Sequence, residues 1–195
     1  MQNEKLKVMI RIAMLTAAAT VLFLIKIPLP FIAPPFYELD FSNVVSLIGA
    51  FAMGPVAGII IELLKNIINL IIDGSITGGV GELSNFLTAC ALVVPASLVY
   101  NKNKNKKSSL AGLFFGIIIM TAFGYFSNRF VMIPIYSKAL SIPIEALVGM
   151  GTKIHSSIDS VSDMILLCVV PFNLIKGLLV SAVTFVLYKK IRKVL

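Results

Sequence analysis

The sequence predicts an all-α, polytopic membrane protein that forms a single domain over residues 1–195. Of the 195 residues, 58% are hydrophobic and only 13% are charged, whereas a soluble domain carries about 25% charged residues. The mean hydropathy is +0.97. Several long stretches contain no Asp, Glu, Lys or Arg, and a bilayer-crossing helix needs about 20 such apolar residues.

Five apolar stretches indicate membrane helices. The first has no small-residue cleavage site of the kind that ends a signal peptide, so we expect it to be a permanent span. The last stretch differs from the others because it contains two charged residues, Asp163 and Lys176. The stretches cover residues 12–25, 41–61, 83–101, 108–128 and 162–188.

The second stretch continues past Glu62 and Lys65 to Asp73, and Gly54-Pro55 divides it. Glycine commonly follows the end of a helix, and proline favours the first position of the next one. The sequence therefore predicts two helices in this region. The six predicted helices cover residues 6–27, 43–53, 55–73, 82–100, 109–136 and 162–191.

The net charge of +8 supports this count, because loops on the cytoplasmic side are enriched in Lys and Arg. With six helices, all three basic clusters fall on one side, so both termini are predicted to be cytoplasmic. The clusters show no aromatic interleaving, and nucleic acid is not an expected partner. The clusters are Lys5, Lys7 and Arg11; Lys102, Lys104, Lys106 and Lys107; and Lys189, Lys190, Arg192 and Lys193.

The second predicted helix is too short to cross a bilayer. Eleven residues rise about 16 Å, against a hydrocarbon core of about 30 Å. Residues 28–42 must therefore complete the outer half, and irregular backbone is tolerated there only when it is buried or lines a cavity. We expect this loop to converge with the outer loops 73–81 and 137–161.

Polar residues in the apolar helices predict a ligand site. A charge near the bilayer midplane costs at least about 2.5–3.5 kcal/mol, so Lys176 indicates function. Asn173 lies three residues earlier on the same helix face. Asn128 lies late in the fifth helix, and Glu82 opens the fourth. An alternative for Lys176 is a buried ion pair with Glu62 or Asp163, although Glu62 and Lys65 are better explained as a structural pair.

The residue types suggest what such a site would bind. Amides suit a ligand with many hydrogen-bond donors and acceptors and little net charge. Aromatic residues nearby could enclose a flat ring system. These aromatics are Phe31, Phe36, Tyr37, Phe41, Phe126 and Tyr136.

The sequence contains no phosphate-binding loop, metal-ligand cluster or nucleophile elbow. We therefore expect a binding subunit, not an enzyme, that needs no cofactor or metal and takes its energy from a partner. Ala13 and Ala17 form a small-residue face on the first helix, which suits either docking to that partner or packing within the chain. The pairs Gly54/Gly58 and Gly112/Gly116 favour packing within the chain.

Several motifs run nearly from end to end of the chain. They are Pro34-Pro35 with Leu39-Asp40-Phe41-Ser42, Phe51-x-x-Gly54-Pro55-Val56-Ala57-Gly58, Leu64-Lys65-Asn66, Gly81 with Asn85-Phe86, Asn128 with Pro134, and Pro171-Phe172-Asn173-x-x-Lys176-Gly177. Together they resemble the riboflavin-specific S-components of energy-coupling factor (ECF) vitamin transporters, the RibU family.

This resemblance implies a six-helix protein that binds riboflavin near the outer face and docks, within the membrane lipid, on a transmembrane coupling protein carrying two cytoplasmic ATPases. It assigns Asn128, Asn173 and Lys176 to the polar edge of the isoalloxazine ring. It places two further segments near the ring and the ribityl chain, and it makes the alanine face of the first helix the docking surface. The implied residues are Tyr37, Leu39, Asp40, Phe41, Thr77, Gly79 and Glu82 for the ligand, and Ala13 and Ala17 for docking.

Two other functions remain open at this stage. One is an S-component for another vitamin, such as thiamin, biotin or folate, although an anionic vitamin would favour more cationic partners than this chain offers. The other is a membrane enzyme acting on a lipid, which would have to recruit acid–base groups from Glu62, Glu82 or Asp163.

Overall fold

The computed structural model describes residues 2–75 and 77–191, which are helical over most of their length. Two π-helical segments, Asn128–Met132 and Ile165–Val169, join α5 to α6 and α8 to α9. The helices are α1 (Gln2–Leu24), α2 (Ser42–Met53), α3 (Pro55–Ile72), α4 (Val80–Asn103), α5 (Lys106–Ser127), α6 (Ile133–Ala139), α7 (Ile144–Thr152), α8 (Val161–Met164) and α9 (Val170–Ile191).

Among the described residues, five helical stretches are long and apolar enough to cross a membrane, judged by length and composition. The predicted all-α membrane fold is thereby confirmed. Helix α2 has 12 residues and is too short to cross alone, so the count of six crossings stays a prediction. The five stretches are Asn3–Leu24, Pro55–Ile72, Val80–Asn103, Lys106–Ala139 and Val161–Tyr188.

Helices α2 and α3 are separated at Gly54, as the sequence predicts. Gly54 has φ of 99°, a conformation that a residue with a Cβ rarely adopts. Its N–H donates to the carbonyl of Ala50 at 2.9 Å, and Pro55 opens α3. The chain therefore reverses here without leaving its backbone groups unpaired.

Glycines bring α4 and α5 into close contact. A Cβ on Gly112 would lie 2.4 Å from the carbonyl oxygen of Ala96, and one on Gly116 would lie 2.7 Å from that of Leu92. Gly58 likewise packs on Val93 and Ala50, where a Cβ would lie 2.6 and 2.7 Å away. The prediction that these small residues serve packing within the chain is confirmed for Gly58, Gly112 and Gly116. It is wrong for Gly54, where a Cβ would meet nothing within 4 Å.

The buried side chains form two cores, one toward each end of the bundle. At the first end, which we call the hairpin end, Leu39 packs with residues of α6, α7 and α9 that include Tyr136 and Phe172. The opposite end, the Tyr100 end, is filled by side chains of α2, α4, α5 and α9. There Phe51 stacks on Tyr100 at 4.4 Å between ring centroids.

The outer loops hold more regular structure than the sequence predicts. Residues 28–42 are not wholly irregular, because β1 (Ile27–Pro28) pairs antiparallel with β2 (Glu38–Leu39). Lys26 ties this hairpin to the end of α3 by binding Asp73 and lying 3.8 Å from Glu38. The predicted loop 137–161 contains α7. The predicted basic residues Arg192 and Lys193 lie outside the described residues.

Candidate ligand-binding site

The partner of Lys176 is Asp40, the residue that follows the β-hairpin. The Lys176 Nζ lies 2.7 Å from Asp40 Oδ2, and Asp40 is only 1% exposed. The alternative that Lys176 pairs with Glu62 or Asp163 is wrong, because its ion-pair partner is Asp40. Glu62 binds Lys65 instead, and Asp163 accepts a hydrogen bond from Ser160 at the exposed start of α8. Those carboxylates are satisfied elsewhere, and Asp40 fills the position beside Lys176.

The second oxygen of Asp40 binds Ser42. Asp40 Oδ1 accepts from the Ser42 N–H at 2.9 Å and from the Ser42 hydroxyl. Burial acts to raise the pKa of Asp40, but the charges of Lys176 and Lys65 and the hydrogen bonds from Lys176 and Ser42 hold it below its ordinary value. Asp40 is therefore ionised at neutral pH.

A second buried ion pair continues from Ser42. The Ser42 hydroxyl accepts from Lys65 Nζ at 2.8 Å, and Lys65 Nζ lies 2.6 Å from Glu62 Oε2. Both side chains are fully buried, which confirms the predicted structural pair. Asn43 donates to the other oxygen of Glu62 at 3.3 Å. We call this connected set, formed by Lys176, Asp40, Ser42, Lys65 and Glu62, the ionic chain.

Tyr37 joins the hairpin loop to the fifth span. Its hydroxyl donates to Asn128 Oδ1 at 2.6 Å, and Asn128 Nδ2 donates to the Gly124 carbonyl at 2.8 Å. Burial raises the pKa of Tyr37 well above its ordinary value, so the phenol keeps its proton and acts as a donor. Its ring centroid lies 4.7 Å from that of Phe36 and 5.7 Å from that of Phe172.

Asn173 lies against the same part of α5. A Cβ on Gly124 would lie 2.2 Å from Asn173 Nδ2, so only glycine leaves room for this amide. Gly124 precedes Asn128 by one helical turn, and Asn173 precedes Lys176 by three residues on α9. Hydrogen bonds, an ion pair and one-turn separations along α5 and α9 thus relate five predicted site residues, which we call the polar cluster: Tyr37, Asp40, Asn128, Asn173 and Lys176.

Other predicted residues are placed differently. Leu39 is buried in the core of the hairpin end, so its side chain offers nothing polar to a ligand. Phe41 packs between both cores. Among the predicted aromatics, Phe36 lies beside both Tyr37 and Tyr136. Its ring centroid is 5.8 Å from that of Tyr136. Phe31 and Phe126 are exposed, which contradicts a place in an enclosed aromatic pocket.

The turn before α4 is largely occupied with its own hydrogen bonds. Glu82 accepts from the Ser75 hydroxyl at 2.8 Å, the Gly79 N–H donates to that hydroxyl at 2.8 Å, and the Gly81 N–H donates to Thr77 Oγ1 at 2.9 Å. Thr77, Gly79 and Glu82 therefore build this turn, and no described contact brings their polar groups to Lys176. Their assignment to the ligand stays a prediction.

Both π-helical segments border the polar cluster, and the sequence interpretation missed them. Asn128 opens the first, and the second ends one residue before α9, which carries Asn173 and Lys176. Such segments often mark functional sites. Pro134 and Pro171 lie four residues after Phe130 and Leu167, each inside a π segment, so the wider turn relieves the clash between the proline ring and the carbonyl four residues earlier. Pro95 sits in ordinary α-helix, so proline alone is an insufficient signal.

The alanine face of α1 points away from the bundle. Ala13 and Ala17 are exposed, whereas Ala19 is fully buried. Packing within the chain is thus wrong as an explanation for Ala13 and Ala17, because no other part of the described chain covers them. Ala19 takes that role instead.

Comparison with known proteins decides the family. The family described as "ECF transporter, substrate-specific component" matches residues 7–188. The chain is an ECF transporter S-component. This confirms the resemblance predicted from the sequence motifs, and the S-component is accordingly a multi-pass membrane protein.

Named relatives cover almost the whole S-component. A riboflavin transporter RibU of Staphylococcus aureus is 37% identical over 190 residues, which are 97% of this chain and 91% of that protein. A riboflavin transporter FmnP of Bacillus subtilis is 30% identical over 189 residues, covering 96% and 93% of the two chains. A solved S component of a bacterial ECF transporter superposes with a TM-score of 0.76 at 37% identity, covering 99% and 98%.

Proposed function

We propose that this S-component binds riboflavin and mediates its uptake as part of an ATP-driven ECF transporter. The observation that carries the proposal is the polar cluster. It joins two carboxamides, a phenol and a buried Lys176–Asp40 ion pair. The relatives named above are riboflavin transporters, and the family is that of the substrate-specific components of ECF transporters.

The polar cluster suits the polar edge of the isoalloxazine ring. This edge presents carbonyl oxygens, an imide N–H and ring nitrogens. The carboxamides of Asn128 and Asn173 each offer a donor and an acceptor, and Lys176 offers N–H donors. Phe36, Tyr37 and Phe172 place aromatic rings beside the amides, which favours a flat aromatic ligand.

The proposal includes a docking partner. A transmembrane coupling protein would contact the exposed face around Ala13 and Ala17, where small side chains permit close helix packing in lipid. Two cytoplasmic ATPases on that partner would supply the energy, and the S-component itself would bind its ligand without transforming it. No resident cofactor or metal is part of this proposal.

Both termini would be cytoplasmic. Tyr100 near the end of α4 and Tyr188 near the end of α9 bind each other through their hydroxyls. The basic loop that begins at Lys102 therefore lies at the same end of the bundle as the basic C-terminal segment. This supports the proposal, because Lys and Arg prefer the cytoplasmic side. The β-hairpin would then lie at the outer face.

Titration of the purified protein tests the proposal. Any flavin bound during purification is first removed, and riboflavin is then added while the quenching of flavin fluorescence is followed. We expect saturable binding at one site per chain, with no competition from excess thiamin, biotin or folate. Absence of riboflavin binding, together with direct binding of thiamin, biotin or folate measured by calorimetry, would show an S-component for another vitamin.

A further inference from the structure

Lys176 is an ammonium with spare donors. It is 9% exposed, and Asp40 is the only acceptor that it binds among the described residues. An ammonium has three N–H donors, and a buried donor without a partner is costly. Lys176 can therefore donate to a ligand while it keeps its bond to Asp40.

The ionic chain carries no net charge. Lys176 and Lys65 contribute two positive charges, while Asp40 and Glu62 contribute two negative charges. Asp40 is the carboxylate of the polar cluster, and it is held in place by the Ser42 N–H. A ligand at Lys176 thus meets a donor whose charge is already balanced, and in a poorly solvated site this balance weighs heavily.

We propose that Asp40 determines the charge specificity of the site: by balancing Lys176, it makes the site prefer an uncharged ring system over an anionic one. This inference rests on the proposed function, because riboflavin is the ligand considered. It goes further by assigning to Asp40 a role in selecting the ligand's charge state. A purely structural role, in which Asp40 only holds the hairpin loop, would lower the affinity for both charge states equally.

Riboflavin itself provides the two charge states. The oxidised ring is uncharged, and two electrons and one proton convert it to the anionic hydroquinone, with dithionite as the electron donor. The ratio of the two dissociation constants fixes the shift in midpoint potential on binding. A tenfold change in that ratio corresponds to about 30 mV for a two-electron couple.

The experiment compares midpoint potentials of bound riboflavin, measured without oxygen, in the wild-type protein and three variants. In Asp40→Asn, the charge of Lys176 is no longer balanced. We therefore expect the ratio of the two dissociation constants to change at least about tenfold in favour of the anionic form, which raises the midpoint potential by about 30 mV. In Lys176→Gln, Asp40 is unbalanced, and the potential should fall. The double variant should return close to the wild-type value. Asp159→Asn, which removes an exposed carboxylate, serves as the matched control and should leave the potential unchanged.

The outcomes separate the two proposals. Equal potentials in the wild-type protein and Asp40→Asn, with riboflavin bound in both, would overturn the role of Asp40 and leave riboflavin binding established. Failure of the wild-type protein to bind either form would overturn the proposed function and this inference together. If Asp40→Asn does not fold, Lys176→Gln and the double variant decide. The inference then requires a lower midpoint potential in Lys176→Gln and a return to the wild-type potential in the double variant. The absence of either result contradicts it.

Discussion

Tyr37 and Asn128 lie 91 residues apart in the sequence and are joined by a hydrogen bond of 2.6 Å. The bond ties the loop after β1 to the start of a π-helical segment in the fifth span. It orients the Asn128 amide, because the phenol can only donate to its oxygen while the amide nitrogen is held by Gly124. This contact links the hairpin loop to the predicted ligand amides.

Removing the phenol hydroxyl should loosen this link. In Tyr37→Phe, Asn128 Oδ1 loses its donor, and we expect the riboflavin affinity to fall about 2- to 13-fold, as for a lost hydrogen bond of about 0.5–1.5 kcal/mol. Fluorescence titration measures the change. The matched control is Tyr125→Phe, which removes the hydroxyl of a half-buried tyrosine in α5, three residues before Asn128. Equal affinities for both variants would argue against an orienting role for Tyr37.

Adding one methyl group at Gly124 should displace Asn173. The new Cβ would lie 2.2 Å from Asn173 Nδ2, so the amide must leave its present position. We expect Gly124→Ala to weaken riboflavin binding by at least about tenfold, the equivalent of one charged or two neutral hydrogen bonds. Gly149→Ala is the control, because a Cβ at Gly149 meets nothing within 4 Å. Wild-type affinity in folded Gly124→Ala would contradict the position given to Asn173.

Removing the ammonium should affect both binding and stability. Lys176→Ala is expected to weaken riboflavin binding by one to two orders of magnitude, about 1.5–3 kcal/mol for a charged hydrogen bond. It also leaves Asp40 buried without its cation, and breaking a buried pair costs about 3–5 kcal/mol, so the unfolding temperature in detergent should fall. Lys138→Ala removes an exposed lysine and should change neither quantity. Unaltered affinity in a folded Lys176→Ala protein would refute its role as a ligand donor.

The exposed alanine face should matter for transport only. Changing Ala13 and Ala17 to Trp adds bulk where no part of the described chain packs, so riboflavin binding by the purified protein should stay unchanged. Uptake by cells that also express the coupling protein and ATPases should be abolished, because close helix packing requires small residues. Leu110→Trp, at another exposed position, should keep uptake. Normal uptake by the alanine variant would exclude this face as the docking surface.

The low pKa of Asp40 predicts an acid-dependent stability. Its pKa in the folded protein lies below the ordinary value of 3.8, so its stabilising contribution is full above that value and is lost as the pH falls through the folded-state pKa. The unfolding temperature of the wild-type protein should therefore fall more steeply below about pH 4 than that of Asp40→Asn. Parallel curves for the two proteins would show that the carboxylate gains nothing from Lys176 and Lys65.

The long helices were predictable because their signals, the apolar runs and the Gly54-Pro55 break, depend only on residues that are close in the sequence. The same holds for the Glu62–Lys65 pair, whose members lie one turn apart. Helix α7 was missed because Gly149 and Gly151 lower its helix propensity, although its burial against α8 compensates. The β-hairpin was missed because each strand has only two residues.

The sequence singles out the polar residues of the candidate site but not the contacts that connect them. Lys176, Asn173 and Asn128 stood out as polar residues in apolar helices, yet the partner of Lys176 lies 136 residues away. Asp40 belongs to a loop, and no periodicity relates a loop residue to a helix face. Tertiary packing alone decides which of several carboxylates reaches the lysine.

An experimental structure of the protein with riboflavin bound is the most direct test of the proposed ligand-binding site. We predict that the polar edge of the isoalloxazine ring lies within hydrogen-bond distance, about 2.7–3.2 Å, of Lys176 Nζ and of the amides of Asn128 and Asn173, with Asp40 still bound to Lys176. A flavin held elsewhere, with Lys176 bound only to Asp40, would contradict it.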